Sequence, residues 1–275
     1  MHLVKDIEHL DAKDEDILFF HFSSFSEHCA KKIIVSNGFK ILHYHNITPH
    51  TFFDKDSILY DLCKKGRDQL GRIVHEFNYV TADSNYNLDE IIALGFSADK
   101  TQKLPIIING LSSEVTDVTE ENKTNDIIFV GRICENKCQH KLIEFYHNYS
   151  QNNDIGKLYL IGKYDTSSSY YKKINKLIKK LNVSDNVILT GSVSDDELKQ
   201  YYSQSKCFIS FSEHEGFGVP LLEAAQHHIP VLALNAAAVS ETLDDSPGVF
   251  DNEVDAYNKL HKVLTDSIFS QELIN

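Results

Sequence analysis

A succession of short apolar runs, each followed by a polar stretch long enough to cross back over a sheet, constrains this chain more than any other feature. In the first third the runs are Asp16–Phe22, Phe39–His45 and Tyr79–Ala82, with crossover-length segments such as 56–77 between them. Strands separated by that much chain are not hairpin partners; they pair in parallel through helices. Ser84 before residues 85–94, with Gly95 after them, reads as an N-cap and a terminating glycine around one such helix. Past Leu104–Gly110 comes a polar run, Ser112–Asn125, with the composition of a linker. A fresh series follows, with strands at 127–130, 158–161, 187–189, 207–211 and 231–234 and helices at about 137–148, 170–181, 195–203 and after Gly218. The expectation is an α/β protein of two units, 1–111 and 112–275, each with a parallel sheet. No repeat of solenoid length interrupts this rhythm.

Composition narrows the function. A formal net charge of -13, from 27 Lys+Arg against 40 Asp+Glu, lacks the basic footprint that binds nucleic acid. No run approaches the roughly 20 apolar residues of a membrane span, and Met1–Glu8 has no signal-peptide pattern, so a cytoplasmic protein is expected. Five cysteines, an odd number, point to free thiols in a reducing compartment. Cys134, Cys138 and His140 lie close in sequence, but no second Cys/His cluster completes four ligands, so no metal is expected. Asp14–Asp16 and Asp54–Asp56 have acid-x-acid spacing and read better as acidic loops.

Three strand ends in the second series carry groups suited to phosphate. Phe129–Lys137 (F-V-G-R-I-C-E-N-K) turns at Gly131 and offers Arg132 and Lys137 in one loop; Arg can fork onto two phosphate oxygens while Lys supplies a point charge. Leu160–Lys163 again ends a strand in glycine, Gly162, and a cation. The third is Ser212–Gln226 (S-E-H-E-G-F-G-V-P-L-L-E-A-A-Q), between an apolar strand and a helix. There Gly216 and Gly218 permit close backbone approach, and Pro220 fits the first helical position, leaving the helix N-terminus open to an anion. Two carboxylates, Glu215 and Glu223, bracket this turn and the helix start.

Together, Phe129–Arg132 with Lys137, Val187–Gly191 (V-I-L-T-G) and above all Glu215–Ala224 (E-G-F-G-V-P-L-L-E-A) resemble the nucleotide-sugar-binding half of the retaining GT-B glycosyltransferases, specifically glycosyltransferase family four of bacterial polysaccharide biosynthesis. The similarity runs from about Asn125 to Leu264. It implies two Rossmann-like parallel-sheet domains facing a cleft, the first incomplete here. It also implies a sugar donor linked to a nucleoside diphosphate, uridine or guanosine, with no metal and no other cofactor. By the same resemblance Arg132 and Lys137 hold the diphosphate, with Gly131, Gly162, Gly216, Phe217 and Gly218 lining the donor site. Glu215 meets the sugar hydroxyls and Glu223 the ribose. His45-Asn46 looks like the His-Asn pair that the family places across the cleft from the donor, which adds His45 to Glu215, Arg132 and Lys137 as candidate catalytic residues. His21 ends the preceding strand comparably, and because alternation puts His43 and His45 on one face, a core-facing or metal-binding pair competes with that reading.

The expected activity is transfer of a sugar to a hydroxyl of a glycan or lipid-linked acceptor in surface polysaccharide synthesis. Family members begin with a strand, a glycine-rich loop and further βα units before anything like Asp16–Phe22, and end on a long helix that crosses back. Their absence implies a shortened chain, weak alone, or a partner chain that supplies the missing units. A non-catalytic or split nucleotide-binding subunit and a GT-B sugar-nucleotide epimerase are therefore the alternatives. Peripheral association with the inner membrane stays open, with the lysine-rich segment 170–181 as its candidate surface.

Overall fold

The computed structural model describes residues 7–108 and 124–274. The predicted linker, apart from its last two residues, lies outside them. The chain divides into two compact units, Met1–Ile106 and Ile107–Asn275.

The first unit is built on a four-stranded, all-parallel sheet in the order β1 (Ile17–Phe22), β2 (Phe39–Tyr44), β3 (Tyr79–Ala82), β4 (Thr101–Lys103). Three α-helices make the crossovers: α1 (Glu27–Val35), α2 (Ile58–Ile73) and α3 (Asn85–Ala93). Ser84 caps α3 by accepting from the Asn87 amide, and Gly95 follows at φ +87°, as the sequence predicts. Phe22, Leu42, Tyr44, Val80 and Ala82 point into one core cluster with Leu70 and Ile91. The alternate residues of the same strands face the other way. Register then does the rest: His21 pairs with His43 and His43 with Thr81, giving one row across three strands, and His45 and Asp83 stand two residues on.

The second unit carries six parallel strands in the order β10-β9-β8-β5-β6-β7. They are β5 (Ile127–Val130), β6 (Leu158–Ile161), β7 (Val187–Gly191), β8 (Cys207–Ser210), β9 (Val231–Leu234) and β10 (Val249–Phe250). Two core clusters share them. Ile127, Phe129, Cys207, Ile209 and Leu232 pack on one side, while Ile128, Phe208, Val231 and Ala233 pack on the other. Both faces are covered by helices, which is why these strands read as continuous apolar runs and not as alternations. On the first side lie α4 (Gln139–Ser150), α5 (Ser169–Lys180) and α9 (Glu253–Thr265); on the second lie α6 (Asp195–Gln204) and α7 (Val219–Gln226). The short helices α8 (Val239–Thr242) and α10 (Ser267–Glu272) complete the unit.

Several boundaries differ from the sequence reading by one or two residues, and three of them bear on the loops after β5 and β8. A short 3-10 turn over Glu135–Lys137 precedes α4, so Lys137 lies in the loop and not in the helix. Strand β8 stops at Ser210, one residue early. Helix α7 begins at Val219 with Gly218 as its cap, which moves Pro220 to the second helical position, where a missing amide hydrogen still costs no helical bond.

Candidate functional site

Strand order locates the site in the second unit before any side chain is considered. From β5 the chain moves outward through β6 and β7, then returns to lay β8 on the other side of β5 and moves outward the opposite way. The helices that follow β5 and β8, α4 and α7, therefore leave on opposite faces. Their connecting loops part at the carboxyl ends of neighbouring strands, and such switch points form the binding crevice of open α/β sheets.

Those two loops hold most of the residues singled out from sequence. After β5 come Gly131, Arg132 and Lys137; after β8 come Glu215, Gly216, Phe217 and Gly218. The Glu213 amide donates to the Asn136 carbonyl at 2.9 Å, and Asn136 Nδ2 donates to the His214 carbonyl at 3.3 Å. Lys137 Nζ meets Glu215 Oε1 at 2.5 Å, with the two side chains only 19% and 12% exposed. Thus the cation expected at phosphate and the carboxylate expected at sugar are held against each other. Lys141 and Glu213 form a second, more exposed pair alongside.

The glycines act by proximity. A Cβ on Gly162 would sit 2.2 Å from the Gly131 carbonyl oxygen, and the Gly162 φ of +143° also disfavours any side chain. Only bare backbone lets the loops after β5 and β6 approach this closely. Gly218, at φ +84°, caps α7. The Phe217 carbonyl accepts from Thr242 Oγ1 and the Glu215 carbonyl from the Ala238 amide, so this loop is held from α8 as well. Arg132 is exposed and has no ion-pair partner among the described residues. Glu223, one turn into α7, accepts from the Tyr202 hydroxyl at 3.2 Å, and burial together with Glu223 pushes the Tyr202 phenol up.

In the first unit His45 belongs to a network at the carboxyl end of its sheet. Asp83 accepts from His43 Nε2 at 2.9 Å and from His45 Nδ1 at 3.0 Å, His43 Nδ1 lies 2.7 Å from Thr81 Oγ1, and His21 Nδ1 lies 2.7 Å from His45 Nε2. Burial alone would raise the Asp83 carboxyl, but the hydrogen bonds and charges of His43 and His45 outweigh it and hold it below the usual range. Burial, followed by the neighbouring His45 and His43, lowers His21. Asn46, at φ +72°, donates to Asn87 and to Glu90, which also receives Tyr44 and Arg67.

Cys134, Cys138 and His140 do not converge on a metal position. Both thiols donate to backbone carbonyls, burial pushes Cys138 up to about 12, and His140, pulled down to about 4 by burial and by Lys173 and Lys141, faces the Tyr170 hydroxyl. Sequence reasoning overlooked Asp83 and Tyr202. Asp83 was open to discovery, because it follows an apolar strand and precedes a helix cap; Tyr202 had no distinguishing pattern.

Two α/β units, each built on a parallel sheet, have the GT-B type of glycosyltransferase fold. More particularly, residues 113–275 match the profile of the family described as glycosyl transferases group 1, more than half of the chain, and the chain belongs to that family. A 41.2 kDa protein in the cps region of Klebsiella pneumoniae is 26% identical over 269 residues, covering 90% of this chain and 68% of its own length. The O-antigen chain mannosyltransferase RfbU of Salmonella typhimurium is 25% identical over 159 residues, covering 58% of this chain and 43% of its own length. Among solved structures, Anabaena Alr3699/HepE in complex with UDP and glucose superposes with a TM-score of 0.72 at 18% identity, over 89% of this chain and 67% of that one. No helix among the described residues is long and apolar enough to cross a membrane.

Proposed function

We propose that this chain is a retaining glycosyltransferase of family four that moves a hexose-type sugar from a nucleoside diphosphate to a hydroxyl of a glycan or lipid-linked acceptor during surface polysaccharide synthesis. The observation that carries the proposal is the switch point of the second sheet, where the loop bearing Arg132 and Lys137 and the loop that leads into α7 are joined by the Lys137–Glu215 ion pair. The UDP and glucose of HepE and the mannosyl transfer of RfbU support the donor class.

On this reading Arg132 and Lys137 take the diphosphate, Glu215 the sugar and Glu223 the ribose, while His45 of the first unit is the further candidate catalytic residue that the family resemblance implies. The anomeric carbon–oxygen bond to phosphate breaks through an oxocarbenium-like state, and negative charge gathers on the departing diphosphate. Fixed cations and the α7 N-terminus aimed at that charge lower the barrier. No carboxylate is assigned as a covalent nucleophile; the leaving phosphate takes the acceptor's proton on the same face, and no metal takes part.

The two glutamates test the assignment. A ribose contact is made by free diphosphate and donor alike, so Glu223→Gln weakens both, by about tenfold or more for a charge-assisted hydrogen bond of roughly 1.5–3 kcal/mol. Glu215→Gln releases Lys137 from its partner, so free diphosphate binds as well as before or better while the sugar donor loses affinity or turnover. Calorimetric titration of both ligands into both variants decides; a Glu215→Gln chain that loses the bare diphosphate as badly as Glu223→Gln does refutes the division of roles. Donor binding with no transfer to any acceptor, by this chain alone or supplemented with a full-length relative, refutes the catalytic part alone.

A further inference from the structure

The first unit holds a histidine cluster, His21, His43 and His45, of which the proposed transfer uses His45 alone. We propose that His21 and His45 form a binding site for a borderline divalent transition metal such as Zn²⁺, in which the ion replaces the hydrogen now shared between His21 Nδ1 and His45 Nε2, and Asp83 acts as the outer-shell carboxylate.

The argument begins with hydrogen positions, assigned from partners. An ionised carboxylate only accepts, so the two nitrogens facing Asp83, His43 Nε2 and His45 Nδ1, each carry a hydrogen. The lone pair of the His45 ring is then on Nε2, aimed at His21 Nδ1 only 2.7 Å away. Two imidazole nitrogens converge on one point, and one ring is already oriented by a carboxylate behind it. That is the carboxylate–histidine arrangement that fixes ring orientation and strengthens metal-binding imidazoles. His43 buttresses Asp83 from the other side and spends its second nitrogen on Thr81. All three histidines place a ligand atom within 4.8 Å of the others, the one such group among the described residues.

The fit requires a small movement. Nitrogens bound at about 2.0–2.1 Å to one tetrahedral ion stand roughly 3.3 Å apart, so the pair opens by about half an ångström. The His21 ring, exposed at the end of β1, is free to swing that far, whereas the His45 ring stays on Asp83. Imidazole donors select Zn²⁺, Cu²⁺, Ni²⁺ or Co²⁺ over Mg²⁺ and Ca²⁺, which prefer all-oxygen sites. With two protein ligands the ion keeps open positions for water or a small anion.

The inference shares His45 with the proposed transfer but none of the phosphate and ribose contacts, which are assigned to the second unit, so Zn²⁺ uptake and nucleotide binding can fail separately. The test uses the full chain, free of any affinity tag and stripped with a chelator, titrated with Zn²⁺ by calorimetry and with Co²⁺ by visible absorption. Wild type takes up one equivalent of Zn²⁺. His21→Ala, a change at an exposed side chain that leaves the circular dichroism spectrum intact, removes that equivalent. Asp83→Asn keeps both ligands and weakens binding by about 10- to 100-fold, the usual effect of losing an outer-shell partner. His140→Ala, beside Cys134 and Cys138, leaves the titration unchanged, and Mg²⁺ produces no heat. Absence of a stoichiometric event at tens of micromolar Zn²⁺, or an event that survives His21→Ala, overturns the proposal.

Discussion

Strand β1 of the first sheet and strand β8 of the second are both short apolar runs, yet they are used in opposite ways. In β8 every residue is buried. In β1 exposed Ile17, Phe19 and His21 alternate with less exposed Leu18, Phe20 and Phe22. The difference lies in what covers them. Two core clusters enclose the second sheet on both faces, whereas among the described residues a single cluster packs on one face of the first. The strands of the doubly covered sheet carry no charged side chain, so its ionic chemistry is pushed past the strand ends, to Arg132, Lys137 and Glu215. A sheet with an apolar core cluster on one face alone can keep polar residues on the other, and exposed His21 together with buried His43 and Thr81 occupy such positions.

This contrast can be broken most severely through backbone contacts. Gly162→Ala sets a Cβ 2.2 Å from the Gly131 carbonyl oxygen, and Gly38→Ala in the first unit sets one 2.6 Å from the Asp16 carbonyl oxygen at φ +94°. Each is expected to cost on the order of 3 kcal/mol or more in its own unit. Hydrogen exchange reads the units separately: Gly162→Ala lowers protection in β5–β7 and abolishes nucleotide binding, while Gly38→Ala loosens β1 and β2 and spares binding. Nucleotide affinity lost equally in both variants would show that the units do not divide the labour.

A smaller effect is expected from Tyr44→Phe. The Tyr44 hydroxyl donates to Glu90 and accepts from the buried Ile47 amide at 3.0 Å, so its removal leaves that amide unpaired at about 1–3 kcal/mol. Exchange quickens in the first unit alone.

Acid sharpens the comparison most gently. Because the folded His140 titrates at about 4 and the unfolded one near 6.5, the unfolded chain alone takes up the proton between those values. Stability of the second unit therefore falls as pH drops through that window, by at most about 1.4 kcal/mol per pH unit and less for a partly exposed ring. Asp83 shifts the other kind of group. Its folded carboxyl lies below the ordinary value of 3.8, so its contribution is complete above 3.8 and is lost only as pH falls through the lower, folded value. Urea midpoints from pH 7 to 3 in wild type and His140→Gln check the order; a slope between 6.5 and 4 that His140→Gln leaves untouched would assign it elsewhere.

Sequence reading succeeded where apolar runs were continuous. The limits of β3, β5, β6 and β9 follow directly from Tyr79–Ala82, Ile127–Val130, Leu158–Ile161 and Val231–Leu234. It failed on β4, where Thr101–Lys103 is polar and largely exposed at a sheet edge, and on β10, two residues long, because neither shows a hydrophobic period. In the candidate site, the glycines and charges after β5 and β8 were legible as motifs, since close approach and charge require particular residue types. Their pairing was not. That Lys137 meets Glu215 depends on β5 and β8 being neighbours, a fact of strand order that no local spacing encodes.

That ion pair turns the crevice into a coincidence detector under the proposed assignment. A bare phosphate offers Lys137 a new partner but strands Glu215 in a half-buried position without one, and a free sugar satisfies Glu215 while stranding Lys137. Only a molecule that carries hydroxyls and phosphate on one skeleton, at the spacing of these two side chains, replaces the bond on both sides at once. Abundant cellular phosphates and free hexoses each present half of the required signal, so the resting clasp filters them without any moving lid.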